Sequence, residues 1–382
     1  MPVLVLAPEP LHPSPTGPSR RALRLAEAIA AECPVTLAAP APSEFPDGPF
    51  RTIETGPRHD QELARAFAGH DVAVVQTLPS PRQLLVARRH APRLVVDLIA
   101  AFALELREMG DDAAVRWRVR EMVAHLAAAD LVVCSNEHQR DLVIGVGMAA
   151  GLLDPATAGG PLDERLVVVP HGLDRGHRRR GDSALRSGEL AGAVRIAIWG
   201  GGIWSWLDPL TAIRAIELLR PARPDVRLAF VGLEHPDPAQ RAAHAPLADE
   251  ARAYVEERGL GEAVVFRPRW LDRDEFLDHL ADADVGVSLH GDTLEGRFAS
   301  RTRILDYLEA GLPVVASSGD AMAGFVERHG WGRVVAPGDA AACAAALDAL
   351  TGGGQERRVD DDALAPLLWE NVARPLVEFC AS

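Results

Sequence analysis

Two segments of this chain gather residues that could bind an anion or move a proton. The first is RIAIWGGGIWSWLDPLTAIRAIELL, residues 195–219. An apolar run ends at Trp199, the glycines Gly200, Gly201 and Gly202 follow, and a helical pattern begins at Pro209. Glycines let backbone N–H groups come close to a ligand, and the N-terminus of the next helix favours negative charge. Asp208 suits the N-cap, with Pro209 at the first helical position. The same residues also suit a tight turn packed by Trp204 and Trp206. They do not have the spacing of a dinucleotide-binding G-x-G-x-x-G.

The second segment is VSLHGDTLEGRFASRTRILDYLEAGLPVVAS, residues 287–317. A strand ends at His290, and the loop after it carries Asp292, Glu295 and Arg297. A helix is predicted over Ser300–Ala310, with Arg301 and Arg303 at its start and Asp306 within it. Cations at that end oppose the helix dipole, so they lower stability unless an anion visits. That is the physical argument for a phosphate here. The alternative is a surface helix with carboxylate–arginine pairs.

The first half offers a weaker set. PLHPSPTGPSRRALRLAEAIA, residues 10–30, joins the first strand to the first helix, and Arg20 and Arg21 follow its Pro/Gly-rich loop. Such a loop lies at the carboxyl end of the sheet, where open α/β folds bind ligands. Asp97 ends another strand at that edge, as a ligand group or a helix cap. His138 follows a further strand and either points into the same crevice or serves the structure. Gly145-Val-Gly147-Met-Ala-Ala150 imitates a dinucleotide fingerprint but follows a helical run, so it reads as a helix end.

The elements that must position these residues alternate along the whole chain. Strands are predicted at Val3–Ala7, Val35–Ala39, Val72–Gln76, Leu94–Leu98, Leu131–Ser135 and Leu166–Pro170. Helices are predicted at Arg20–Glu32, Asp60–Ala68, Pro81–His90, Val115–Ala128 and Glu137–Val146. A polar stretch at 173–192, containing the run HRRR, reads as a linker or an anion site. The alternation then restarts with strands at Val194–Trp199, Val226–Val231, Ala263–Arg267, Val285–Leu289, Pro313–Ala316 and Gly332–Val335. Helices intervene at Pro209–Leu219, Asp249–Arg258, Asp274–Ala281, Ser300–Ala310, Ala321–His329 and Ala340–Leu350. This is an α/β protein of two doubly wound, Rossmann-like domains. The expected boundaries are 1–172, a linker at 173–192, 193–360, and a final helical segment at 361–382 packing back across the junction.

Composition narrows the chemistry. The chain has 382 residues and a formal charge of −14, and all 40 of its basic residues are arginine. Without lysine there is no Walker-A lysine, no Schiff-base lysine and no lysine general base. Any phosphate must be held by arginine, backbone N–H groups or helix ends. An acidic chain without a basic block is a poor nucleic-acid binder, so no nucleic-acid partner is expected. The four scattered cysteines argue against a disulfide framework and a structural zinc site, and fit a reducing compartment. The start reads as a strand, not as a signal peptide, and no apolar run reaches the ~20 residues of a membrane span. A cytoplasmic protein without an integral membrane segment is expected.

Taken together, these motifs resemble the GT-B glycosyltransferases of family GT4, over nearly the whole chain. VVVPHGLD at Val167–Asp174 is similar to the segment that closes the family's N-terminal domain. Glu309-Ala-Gly311-Leu followed by Pro313–Ala316 is similar to the block around its second conserved glutamate. The WGGGIWSWLDPL loop resembles a subgroup associated with bacterial glycan and natural-product gene clusters, as do Gly17-Pro18 with Arg21 and Gln139-Arg140-Asp141 with Gly145. The resemblance implies a GT-B fold with two domains facing a cleft. It implies transfer of a sugar from a nucleoside diphosphate sugar to a glycan or small-molecule acceptor, with retention, no essential metal and no tightly bound cofactor.

The carry-over of residues is partial. Asp306 falls on the family's ribose-binding glutamate, but the glutamate that touches the donor sugar falls on Phe298, so the donor-sugar contact must differ, with Glu295 or His290 as candidates to substitute. The phosphate-binding Arg/Lys pair is not in its usual place, which leaves Arg269, Arg301 or Arg303. The donor set expected is therefore Gly200, Gly201, Gly202, Trp204, Arg269, His290, Glu295, Arg301, Thr302 and Asp306. Gly17 and Arg21 are expected on the acceptor side, and Asp97 and His138 at the reaction centre, Asp97 falling where many members carry a histidine. Two rivals are a pseudo-glycosyltransferase or sugar-nucleotide epimerase on the same fold, and a non-catalytic glycan-binding protein.

Overall fold

The structure is a computed structural model. It describes every residue except 14, 57–58, 77–80, 99–101, 153–164, 175–183, 236–237, 353–358 and 360. The HRRR run at 177–180 lies outside the described residues. The chain divides into two compact units, one formed by Met1–Gly172 with Pro366–Ser382 and the other by Leu173–Ala365.

The first unit is built on a parallel sheet of β1 (Val3–Leu6), β2 (Val35–Pro40), β3 (Arg51–Thr55), β4 (Val72–Val75), β5 (Arg93–Leu98), β6 (Leu131–Cys134) and β7 (Leu166–Val168). Their order is β3-β2-β1-β4-β5-β6-β7. β1, β4 and β6 are apolar and buried along their whole length, as strands covered by helices on both faces must be. β3, RTIET, is an addition to the predicted strands. It sits at the edge, mostly exposed, so it carries no continuous apolar run to betray it. Helices α1 (Gly17–Ala30), α2 (His59–Phe67), α3 (Pro81–His90), α4 (Phe102–Glu108), α5 (Asp112–Ala128) and α6 (Glu137–Ala149) connect the strands. The Gly145–Ala150 imitation lies in the last turns of α6, not in a strand-to-helix turn.

The second unit carries β8 (Arg195–Gly200), β9 (Val226–Val231), β10 (Val264–Arg267), β11 (Val285–Ser288), β12 (Val314–Ser317) and β13 (Gly332–Val335). The order is β10-β9-β8-β11-β12-β13, all parallel. The chain first winds outward from β8 and then returns to begin again at β11, so β8 and β11 flank the switch point where such sheets open a crevice. Its helices are α7 (Pro209–Leu219), α8 (Pro238–Glu257), α9 (Arg273–Asp282), α10 (Leu294–Phe298), α11 (Thr302–Glu309), α12 (Ala321–His329), α13 (Ala340–Thr351) and the short α14 (Asp361–Leu364). Two of these differ from expectation. α8 starts well before the predicted Asp249 and keeps Pro246 in its interior, which masks its first half. The stretch expected as one helix over Ser300–Ala310 is preceded by the separate turn α10 and begins only at Thr302.

The final segment is not one helix. A 3₁₀ turn at Ala365–Leu367 precedes α15 (Trp369–Val372) and α16 (Arg374–Ala381). Pro375 has no N–H to continue α15, and its ring clashes with the carbonyl four residues back. Trp369, Leu376, Val377 and Cys380 join the core of the first unit beside Ala22, Leu25 and Ile29. Gly172 is required there, because a Cβ would lie 2.6 Å from the Trp369 ring. No helix of the described residues is long and apolar enough to cross a membrane.

Candidate functional site

At the switch point of the second sheet the ladder between β8 and β11 is short, pairing Ala197 with Val285 and Ile198 with Gly286. Beyond it the Tyr307 side chain bridges the two strands. Its hydroxyl accepts from the Gly200 N–H (2.9 Å) and donates to the Val287 carbonyl (2.9 Å). The ring lies against Gly286, where a Cβ would be 2.4 Å away. Burial pushes the Tyr307 phenol up to about 12, so it stays a neutral donor.

The glycine loop leaves β8 here. Gly201 adopts φ +84°, a left-handed conformation that suits glycine, and its N–H bonds to the Val231 carbonyl at 2.9 Å. Gly200 is also fixed by space, since a Cβ would meet the Phe276 ring at 2.7 Å. Asp208 caps α7 by accepting from the Thr211 N–H at 2.9 Å, with Pro209 in the first turn. Trp204 stacks on Trp206 with centroids 5.0 Å apart, and Leu207 pairs with His290 in an isolated bridge. The turn-packing and ligand-approach readings of this loop are therefore compatible. The tryptophans hold it while Gly201 and Gly202 present backbone at the end of the strand.

The charged residues sort by partner. Arg301, at the N-cap of α11, grips Glu295 through both terminal guanidinium nitrogens, Nη1 and Nη2, at 3.0 and 2.5 Å, and both side chains are buried. Arg273, which the sequence did not single out, bonds Asp306 at 2.7 Å and Glu309 at 2.6 Å. Arg269 is exposed and paired with Glu275. Three cations are thus neutralised by carboxylates, two of them by groups expected to bind the donor.

Arg303 differs. Its Nη2 donates to the Gly202 carbonyl at 2.8 Å and its guanidinium lies 4.8 Å from the Trp199 ring centroid. Among the described residues it forms no ion pair, and its Nη1 is buried without a partner. Trp199 Nε1, Ser288 Oγ and Arg301 Nε are likewise buried without a hydrogen-bond partner, and His290 Nε2 lies 3.2 Å from Asp320 Oδ2, both buried. Thr302 opens α11, beside Arg301 and Arg303.

In the first unit Arg21 and Asp97 are brought together, but as partners of each other. Nε and Nη2 of Arg21 bond the two carboxylate oxygens at 2.7 and 2.8 Å, and the remaining contacts are the Val169 and Pro170 carbonyls at 2.8 and 3.2 Å. Both side chains are 0% exposed. The pair joins α1, β5 and the segment that follows β7. His138 is half-exposed on the first turn of α6, whose N-cap Asn136 accepts from the Gln139 N–H. Gly17 opens α1, is exposed, and has no atom within 4 Å of where a Cβ would stand. His171, at the end of this unit, is held neutral well below the usual histidine range by burial and by the charges of Arg21 and Arg20.

Comparison with known proteins bears on the second unit first. Residues 196–352 match the family described as glycosyl transferases group 1. No curated protein matches the chain. Solved structures match it end to end at low identity. HepE from Anabaena, in complex with UDP and glucose, is 16% identical with a TM-score of 0.65, covering 100% of this chain and 99% of its own. Sucrose-phosphate synthase from Thermosynechococcus elongatus is 19% identical, TM-score 0.67, with 99% and 98% covered. A UDP-forming α,α-trehalose-phosphate synthase from Burkholderia xenovorans is 12% identical, TM-score 0.65, with 100% and 98% covered. Residues 196–352 are thus similar to a group 1 glycosyltransferase domain, and the whole chain has the two-unit parallel α/β fold of GT-B glycosyltransferases.

Proposed function

We propose that this protein moves a sugar from a nucleoside diphosphate sugar to a hydroxyl or amine of a glycan or natural product, with retention at the anomeric carbon. The donor would bind at the carboxyl end of the second sheet and the acceptor on the first unit, near Gly17 and His138. The observation that carries the reading is Arg303, a cation fixed to the Gly202 carbonyl with an unpartnered donor and, among the described residues, no ion pair. In a chain without lysine this is the group best suited to a leaving diphosphate. The bond from the anomeric carbon to the diphosphate oxygen breaks as the bond to the acceptor oxygen forms, and the acceptor proton passes to the departing phosphate. No side-chain base is then needed, and arginine and N–H groups supply the charge that a metal supplies elsewhere. The reading includes membership of family GT4, a cytoplasmic location and no bound cofactor.

The UDP held by HepE makes UDP the first ligand to try. Thermal melts with UDP, GDP, ADP and dTDP, each with and without magnesium, test the reading. A ligand at 100 times its Kd adds ~2.7 kcal/mol to stability. One diphosphate clearly ahead of the others, unaffected by magnesium, is the expected result. A flat panel refutes it.

A further inference from the structure

In the first unit the solvent faces of two neighbouring helices combine arginine with exposed apolar side chains. α3 and α5 touch, and their inward residues Leu84, Ala87 and Leu126 join one core against the sheet. On the outer side of α3, Arg82, Leu85 and Arg89 share one face by their spacing of three and four, and all are exposed. On α5, Arg116 and Arg120 stand one turn apart with Trp117 and Val119 beside them, again all exposed. Among the described residues none of these four arginines forms an ion pair. α3 contains no acid. The carboxylates nearby are engaged: Asp111 caps α5, Glu121 is buried against Arg118, and Asp130 is held by Arg88. Asp112 is exposed in the first turn of α5, where the helix dipole favours an acid.

This face costs free energy and gains nothing inside the unit. Like charges at i and i+4 repel each other on a helix. Leu85, Trp117 and Val119 are 70%, 41% and 42% exposed, so their apolar area stays in water. Both costs are recovered against a negative surface with an apolar layer beneath it, and a bilayer with anionic lipids is such a surface. Arginine heads donate to lipid phosphates while their stems lie over apolar area. Tryptophan settles at the headgroup level, with its ring in the apolar layer and its N–H in the wet one. A bilayer fits better than an acidic protein, because fluid lipids bring a phosphate to each arginine wherever it stands. The chain as a whole carries −14, so its net charge opposes such a contact. The attraction must therefore come from this face, acting within a Debye length of ~10 Å at 0.1 M salt.

We infer that the solvent face of α3 and α5 docks the protein on an anionic bilayer surface. Leu85 and Trp117 enter the headgroup region, and Arg82, Arg89, Arg116 and Arg120 hold lipid phosphates. The inference adds a lipid surface as a partner and does not depend on the glycosyltransferase reading. The contact is peripheral, since no helix of the described residues is long and apolar enough to span a bilayer.

Co-sedimentation of the full chain with vesicles tests it, using phosphatidylcholine alone and phosphatidylcholine mixed with phosphatidylglycerol, at low and at high salt. The wild type should pellet with the mixed vesicles at low salt, and added salt or omission of phosphatidylglycerol should release it. At about fivefold per arginine near the surface, Arg116→Ser with Arg120→Ser should lower the partition coefficient by about tenfold or more. Trp117→Ser with Val119→Ser should lower it severalfold and leave the salt dependence in place. Arg328→Ser with Arg333→Ser, both exposed in the second unit, makes the same change in net charge and should leave binding as it is. All three variants should melt as the wild type does, because the side chains removed are exposed. A wild type that stays in solution with the mixed vesicles overturns the inference and leaves the face to an acidic protein. Wild-type binding in both patch variants also overturns it. So does an equal loss in the second-unit variant, since net charge and not this face would then be responsible.

Discussion

Removing Asp97 should destabilise the first unit heavily, and the structure sets the scale. The substitution Asp97→Asn replaces the carboxylate that binds two nitrogens of Arg21, in a place where both side chains are 0% exposed. The guanidinium keeps one amide oxygen and the Val169 and Pro170 carbonyls, but it loses its counter-charge, an NH2 group now faces one of its nitrogens, and no water reaches it in exchange. Breaking a buried pair by removing one partner costs about 3–5 kcal/mol, because a charge remains without compensation. For a unit of this size, at ~2–4 °C per kcal/mol, the melting temperature should fall by roughly 6–20 °C. Removing both charges in Arg21→Met with Asp97→Leu should recover much of that loss, since a buried ion pair and an apolar pair of similar volume are close in free energy. Urea and thermal melts of the two single variants and the double variant give the coupling directly. A loss below about 1 kcal/mol for Asp97→Asn, or a double variant no better than the sum of the singles, would refute the pair as the purpose of these residues. Unchanged melting with abolished turnover would instead place Asp97 at the reaction centre.

The other expectations follow from the same contacts. Arg303→Met should weaken diphosphate binding by ~1.5–3 kcal/mol in calorimetry, with little change in melting, because it strands no carboxylate. Arg301→Met should cost stability, about 3–5 kcal/mol by denaturant titration, because Glu295 is left buried and unpaired, and Glu295→Gln in the same chain should restore part of it. Gly286→Ala should destabilise the second unit, since the new methyl meets the Tyr307 ring at 2.4 Å, and melting of that variant alone checks it. The pH dependence has a definite sign. His171 is depressed in the folded chain, so its contribution is present above its unfolded value, near 6.5, and is lost as pH falls below that. His171→Asn should flatten the stability–pH profile between about pH 6.5 and 5, and an unchanged profile would rule out this histidine as a source of the slope.

The alternation of apolar runs and helical stretches was sufficient for the two sheets, because strands buried on both faces are written as near-continuous Val, Leu, Ile and Ala. It missed Arg51–Thr55, an edge strand in which solvent relieves the need for apolar residues. It read α10 as loop, started α11 two residues early and fused the pieces of the C-terminal segment, because local pattern does not reveal where a proline clash or a cap ends a turn. The glycine loop, the cap at Asp208 and the crowd of arginines at the start of α11 were also legible, since each follows from residue type and close spacing.

What the sequence by itself determined is the inventory: two doubly wound units, arginine as the only strong cation, and loops at the carboxyl ends of strands. Only the tertiary structure decided the partners. Arg273 reaches Asp306 across 33 residues, Arg21 reaches Asp97 across 76, and Arg303 reaches Gly202 across 101. Whether an arginine binds a ligand or closes an ion pair depends on which carboxylate lies within hydrogen-bond reach. That distance is set by how the sheets bring remote loops together, so nothing in the local spacing encodes it.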